Sequence, residues 1–255
     1  MQHANGIAYT TAGPQDAPAI VLSNSLGTTL DMWSPQLEAL TQRFRVVRYD
    51  ARGHGASTAA LDTVTLDTLG RDVLAVLDAL NIERAHFCGI SMGGLTGQWL
   101  GVHAGERIGK LIVANTAARI GSFDGWAQRA ALVRAEGMAE VAAGAAGRWF
   151  TADFVERHPR SVAQMTDELR ATSASGYAAC CDALATADLR EAIATIAVPT
   201  LVIAGEHDPV TTVDDARYIA ERVRDSRTVA LSASHLSNIE AAEAFNAAVL
   251  AFLAE

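Results

Sequence analysis

The sequence predicts an α/β fold: a mostly parallel sheet with helices on both faces and one helical insertion. Three observations carry this. Short runs rich in Val, Ile and Leu recur along the chain, the composition of parallel strands covered on both sides. Helical patterns alternate with them. One long central stretch, residues 118–196, contains no convincing strand.

The strand-like runs are Ala19 to Ser23, Arg45 to Tyr49, His86 to Gly89, Leu111 to Ala114, Leu201 to Ala204 and Thr228 to Leu231. Between the second and third, Leu69, Val73, Val76, Leu77 and Leu80 fall on one helical face. At the end of the chain Ile239, Ala242, Phe245, Val249 and Phe252 repeat that spacing, and Ser237 or Asn238 is placed to cap this last helix. The central stretch is rich in Ala and Arg, carries Trp126 and Trp149, and starts just after a strand end, where open α/β sheets bind ligands. The expected organisation is a core of residues 1–117 and 197–255 under a helical cap of residues 118–196.

Bulk properties narrow the function classes. A chain of 255 residues is long enough for one large domain with a substantial core. A net charge of −9 argues against nucleic acid or an anionic membrane as main partner. Any anionic substrate must therefore be met by a few placed arginines. Cys88, Cys180 and Cys181 show no metal-type spacing and read as core and helix residues of a protein from a reducing compartment. No signal peptide and no membrane-spanning run is expected. The sequence carries no signal for an oligomeric state.

The chemistry is concentrated in three loops. Gly89-Ile90-Ser91-Met92-Gly93-Gly94 is a G-x-S-x-G motif between a strand-like run and a plausible helix, Leu95 to His103. That is the strand–turn–helix setting of a nucleophile elbow, with Ser91 exposed at the top of the sheet and the Met92 N–H free to meet an oxyanion. A serine needs a base to remove its proton. Of seven histidines, His235 follows the last strand and precedes the last helix, so it sits at a strand's C-terminal end. Asp208, in Gly205-Glu206-His207-Asp208-Pro209, is fed by another strand and is placed to orient that base, with Glu206 as alternative. The loop Asn24-Ser25-Leu26-Gly27-Thr28 supplies the second oxyanion donor, by position the N–H of Leu26. Asp50-Ala51-Arg52-Gly53-His54-Gly55 matches no phosphate-loop or dinucleotide pattern and reads as support for the floor of the site.

Ser91, Asp208 and His235 fall in the order of the α/β-hydrolase superfamily, and the chain resembles it over nearly its whole length. More narrowly it is similar to the 3-oxoadipate enol-lactonase family, through Ser23-Asn24-Ser25-Leu26-Gly27, Tyr49-Asp50-Ala51-Arg52-Gly53-His54-Gly55, the elbow, and Arg148-Trp149-Phe150-Thr151. Asn24-Ser25 stands where most relatives carry His-Gly. The resemblance implies a cytoplasmic, cofactor-free, metal-free bacterial enzyme acting on a small anionic lactone. It implies catalytic Ser91, Asp208 and His235, with Leu26 and Met92 as oxyanion donors. The lactone's free carboxylate calls for a partner; Arg129, Arg134 and Arg148 are the candidates, and Trp126 and Trp149 are candidate pocket walls. Rival readings on the same scaffold are a carboxylesterase, a perhydrolase and a carbon–carbon bond hydrolase. A non-catalytic ligand receptor is the rival from another class.

Overall fold

The computed structural model describes all residues, 1–255. Eight strands form one sheet: β1 (Gln2–Ala4), β2 (Ile7–Ala12), β3 (Ala19–Ser23), β4 (Arg45–Tyr49), β5 (Ala85–Ile90), β6 (Ile108–Ala114), β7 (Thr200–Gly205) and β8 (Ser226–Leu231). Their spatial order is β1-β2-β4-β3-β5-β6-β7-β8. β3 to β8 are mutually parallel, while β1 and β2 pair antiparallel at one edge. All six strand-like runs of the sequence are strands. The β1–β2 hairpin was not anticipated. Its two-residue turn is Asn5-Gly6, both at positive φ (48° and 80°), the dipeptide that a type I′ hairpin favours.

Strand order dictates where the helices lie. The helices are α1 (Ser34–Thr41), α2 (Leu66–Ala79), α3 (Met92–His103), α4 (Phe123–Glu136), α5 (Ala139–Ala143), α6 (Ala145–Trp149), α7 (Ala152–Arg157), α8 (Pro159–Ala171), α9 (Ala174–Thr186), α10 (Val213–Ala220), α11 (Ser237–Glu240) and α12 (Ala242–Ala254). The chain steps one way from β3 to β4, then the other way from β4 to β5 and onward. Right-handed crossovers therefore put α1 on one face and α2, α3 and α10 on the other. α1 packs with α12, and α2 with α3, so both faces are covered. β3, β5 and β7 are accordingly buried along nearly their whole lengths. The reversal of direction also makes a switch point at the carboxyl ends of β3 and β5, where open α/β sheets bind ligands.

Between β6 and β7 run α4 to α9, with α4 packed along α9. No helix in the chain is long and apolar enough to cross a membrane. Cys88, Cys180 and Cys181 are buried and unbridged.

The end of the chain differs from expectation. The last helical pattern is split into α11 and α12 at Ala241 (φ −121°, ψ 47°), and neither Ser237 nor Asn238 acts as a cap. Both side chains point inward. Asn238 Nδ2 donates to the Met32 carbonyl and Gln36 Oε1, and Gln36 Nε2 donates to the Asn238 carbonyl at 2.8 Å. That carbonyl is one the continuing helix would have used, so the ladder breaks there.

Close backbone approach sets the strictest local demand. A Cβ on Gly93 would lie 2.2 Å from the Ser23 carbonyl oxygen, and one on Gly89 would lie 2.2 Å from the Gly93 carbonyl oxygen. These are backbone atoms that no rotamer change can move aside. Gly93→Ala is expected to destabilise the fold by about 1–3 kcal/mol, read as a lower urea midpoint with unchanged m-value.

Candidate active site

Ser91 sits between β5 and α3 with φ 56° and ψ −115°, a conformation an L-residue adopts only when its surroundings impose it. Here its N–H donates to the Ala114 carbonyl, its carbonyl accepts from the Leu95 N–H and from Thr116 Oγ1, and the next turn is clamped by the bond from Gly93 N–H to the Asn24 carbonyl (3.0 Å). Met92 is the first residue of α3, so its N–H has no acceptor within the helix.

The loop after β3 is tied down residue by residue. Asn24 Oδ1 accepts from Trp33 Nε1, and its Nδ2 donates to the Tyr49 carbonyl. Residues Ser25 to Thr28 form a β-turn closed by Thr28 N–H to the Ser25 carbonyl, with Gly27 at φ 82° in the third position, as type II geometry requires. The Ser25 N–H donates to Met32 Sδ and the Gly27 N–H to His54 Nε2. Of the four consecutive N–H groups, only that of Leu26 makes no bond within the chain.

His235 and Asp208 meet across loops 27 residues apart in sequence: His235 Nδ1–H donates to Asp208 Oδ2 at 2.8 Å. A carboxylate only accepts, so this bond requires the proton on Nδ1, and in the neutral ring the lone pair is then on Nε2. Burial alone would push the Asp208 pKa up. Bonding to His235, its charge, Asn115 and the Val210 N–H outweigh burial and hold it below the ordinary carboxylate value. Glu206 and His207 are exposed and make no bond to His235. His103 lies against Trp99 and His158 against Phe154.

Ser91, Leu26 and His235 open onto one cavity of about 370 Å³, roofed by the helices between β6 and β7. Neither Ser91 Oγ nor His235 Nε2 has a hydrogen-bond partner within the chain, a common state before substrate binds. Trp126, Arg129, Arg148, Trp149, Leu169 and Tyr177 line the far wall. The Arg129 guanidinium stands 5.0 Å over the Trp126 ring. Arg148 donates to the Val141 carbonyl; burial and the neighbouring Arg129 charge push its pKa down. Arg134 does not line the cavity. It is half exposed and pairs with Asp182 on the surface.

The residues 18–242 match the family model described as the alpha/beta hydrolase fold. The chain is 50% identical over 245 residues to 3-oxoadipate enol-lactonase 2 of Acinetobacter baylyi, covering 96% of this chain and 92% of that one. It is 50% identical over 233 residues to 3-oxoadipate enol-lactonase 1 of the same organism, covering 91% and 87%. The crystal structure of the enol-lactonase from Burkholderia xenovorans LB400 superposes with a TM-score of 0.97 at 48% identity, covering 99% and 98%.

The chain belongs to the α/β-hydrolase fold family.

Within this α/β hydrolase, two features of the site escaped the sequence reading. Asn115, just past β6, has φ 43° and is buried. Its Nδ2 donates to Asp208 Oδ2 (3.1 Å) and to the Ser234 carbonyl (3.0 Å), and its Oδ1 accepts from Ser237 Oγ (2.5 Å). One amide thus holds the acid and both flanks of the histidine. Glu240 is the second. It accepts from the Ser234 N–H (2.8 Å) and from the Thr151 N–H and hydroxyl, and the Leu236 N–H donates to the Trp149 carbonyl, so the histidine loop is stitched to the cavity roof.

Asn115→Ala orphans polar groups in a buried site and is expected to cost about 1–3 kcal/mol, measured by urea unfolding. The lowered pKa of Asp208 also predicts a pH dependence. A carboxylate whose folded pKa is depressed stabilises the fold above its unfolded value, near 3.8, and loses that contribution as pH falls through the folded value. The stability of the wild type relative to Asp208→Asn should therefore fall as the pH drops below 3.8. A difference that does not vary with pH contradicts the assignment.

Proposed function

We propose that this lactone hydrolase opens 3-oxoadipate enol-lactone to 3-oxoadipate, with Ser91 as nucleophile, His235 as base and Asp208 as the group that orients it. The observation that carries this reading is the His235–Asp208 bond beside a strained, cavity-facing Ser91. The substrate assignment is supported by 50% identity to 3-oxoadipate enol-lactonases over nearly the whole chain.

Each step of the proposed reaction uses one named group of the site. Ser91 Oγ attacks the lactone carbonyl carbon while His235 Nε2 takes its proton, and Asp208 stabilises the imidazolium. The N–H groups of Leu26 and Met92 hold the tetrahedral oxyanion; losing one such donor typically costs about 2.7–4 kcal/mol of barrier. Collapse breaks the ring C–O bond. The departing enolate oxygen takes the proton from His235, leaving an acyl ester on Ser91, and the freed enol relaxes to a ketone, which opposes reclosure. Water, deprotonated by His235, attacks the acyl carbon, and Ser91 leaves with the proton.

The substrate's carboxylate meets Arg129 and Arg148 on the far wall. Two guanidiniums within one mostly apolar cavity repel each other when the cavity holds no anion, and a carboxylate relieves that repulsion. The residues 118–196 act as the cap that carries this wall. Trp126 orients Arg129 from below, and Trp149, anchored through its carbonyl, walls the pocket.

Ser91→Ala is expected to fold normally and to lower kcat for freshly generated enol-lactone by about 10⁴-fold or more, followed by ultraviolet absorbance. Near wild-type turnover removes Ser91 as nucleophile. Arg148→Ala or Arg129→Ala should raise KM for the anionic lactone by about ten- to a hundredfold and leave neutral aryl esters little changed. Arg134→Ala, on the surface, should do neither.

A further inference from the structure

His54 is buried and takes no part in the proton transfers above. Its ring is bonded at both nitrogens. Nδ1 lies 3.1 Å from the Arg52 carbonyl, and Nε2 lies 3.0 Å from the Gly27 nitrogen. A carbonyl only accepts and an amide N–H only donates. The two contacts therefore define one tautomer, with the proton on Nδ1 and a lone pair on Nε2. Arg52 is itself fixed by a two-point pair with Asp72 (Nε to Oδ2 2.9 Å, Nη2 to Oδ1 2.5 Å). Burial disfavours a charged imidazole and keeps the ring in the state that can accept.

The bond to Gly27 controls a turn that has an alternative. Type I and type II turns differ by a flip of the central peptide, here Leu26–Gly27. In the flipped turn the Gly27 N–H would leave His54. It would leave buried surroundings in which a Cβ on Gly27 would already meet Leu169 and Tyr177. That flip changes only the Leu26 ψ and the Gly27 φ, so it does not turn the Leu26 N–H, which belongs to the preceding peptide; what the His54 bond fixes is the position of the turn, one residue after the one unbonded N–H in the loop. We propose that His54 is a positioning residue for the oxyanion-stabilising turn: its Nε2 anchors the Gly27 N–H and so holds the turn, with its one unbonded Leu26 N–H, in place to meet the carbonyl bound before Ser91. This rests on the serine-hydrolase reading above. It adds a role for the Asp50–Gly55 loop that the sequence suggested only as floor.

A positioning role predicts a loss in the transition state rather than in substrate binding. His54→Phe keeps an aromatic ring and removes the acceptor, whereas His54→Gln places an amide oxygen where it can accept from Gly27. The three proteins are compared for kcat and KM on the enol-lactone, and for affinity for a small alkylboronic acid, which forms a tetrahedral adduct on a reactive serine. His54→Phe should lower kcat about ten- to a hundredfold, weaken the boronic acid in parallel, and change KM by less than about threefold. His54→Gln should recover most of both. A folded His54→Phe protein with wild-type kcat, or with KM raised and kcat unchanged, overturns the inference, and so does a folded His54→Gln protein no better than His54→Phe. If His54→Phe does not fold, nitrogen NMR of the wild-type protein decides: Nε2 must appear as the unprotonated ring nitrogen, and a proton on Nε2 refutes the anchor. Ser91→Ala, assayed alongside, separates the two claims: if it turns over normally the serine reading fails, and if it is inactive while His54→Phe is fully active only the His54 inference fails.

Discussion

The site depends on one close backbone approach. The turn after β5 and the loop after β3 touch through the Gly93 N–H and the Asn24 carbonyl, at a separation that leaves no room for a Cβ at Gly93. This contact sets the spacing between the Ser91 hydroxyl and the Leu26 N–H. It follows from topology, because the two loops flank the point where the strand order reverses. Small residues around Ser91 are the consequence. The strain at φ 56° is held by bonds from β6 and α3 on either side, so the elbow does not relax into an ordinary turn.

A second layer of constraint is electrostatic. Asp208 is buried, and burial by itself would push its pKa up. Five donors converge on its two oxygens: His235 Nδ1, Asn115 Nδ2, Thr211 Oγ1, and the N–H groups of Val210 and Thr211. These keep the carboxylate charged and give the imidazole a fixed tautomer. His54 uses a carbonyl to fix its tautomer and a lone pair to hold the loop after β3. In a chain of net charge −9, the guanidiniums of Arg129 and Arg148 both line the cavity onto which Ser91 and His235 open.

Much of this was legible in the sequence, for definite reasons. Buried parallel strands are largely apolar, so Ala19 to Ser23 coincides with a strand to the residue, and Arg45 to Tyr49 does so around its buried Val46, Val47 and Tyr49. The elbow needs glycine at fixed spacings, and Ser91, Asp208 and His235 each follow a strand end, which placed them without coordinates. What stayed hidden depends on contacts distant in the chain. Asn115 reaches residues 93, 119 and 122 positions away, and nothing local to Ala114-Asn115-Thr116 announces it beyond an asparagine tolerant of positive φ. The break at Ala241 needs Gln36, some 200 positions earlier. Arg134 could not be told from Arg129 and Arg148 by composition, because only packing shows which guanidinium faces the cavity and which faces Asp182.

The central claim is that the substrate's acyl group passes through Ser91. Acid-quenched mixing of the protein with excess enol-lactone, followed by intact-mass and peptide mass spectrometry, tests it most directly. The account predicts an added mass of one whole lactone, confined to the peptide that contains Ser91 and absent in Ser91→Ala. An adduct on another residue, or a Ser91→Ala protein that still accumulates the same species, would contradict it.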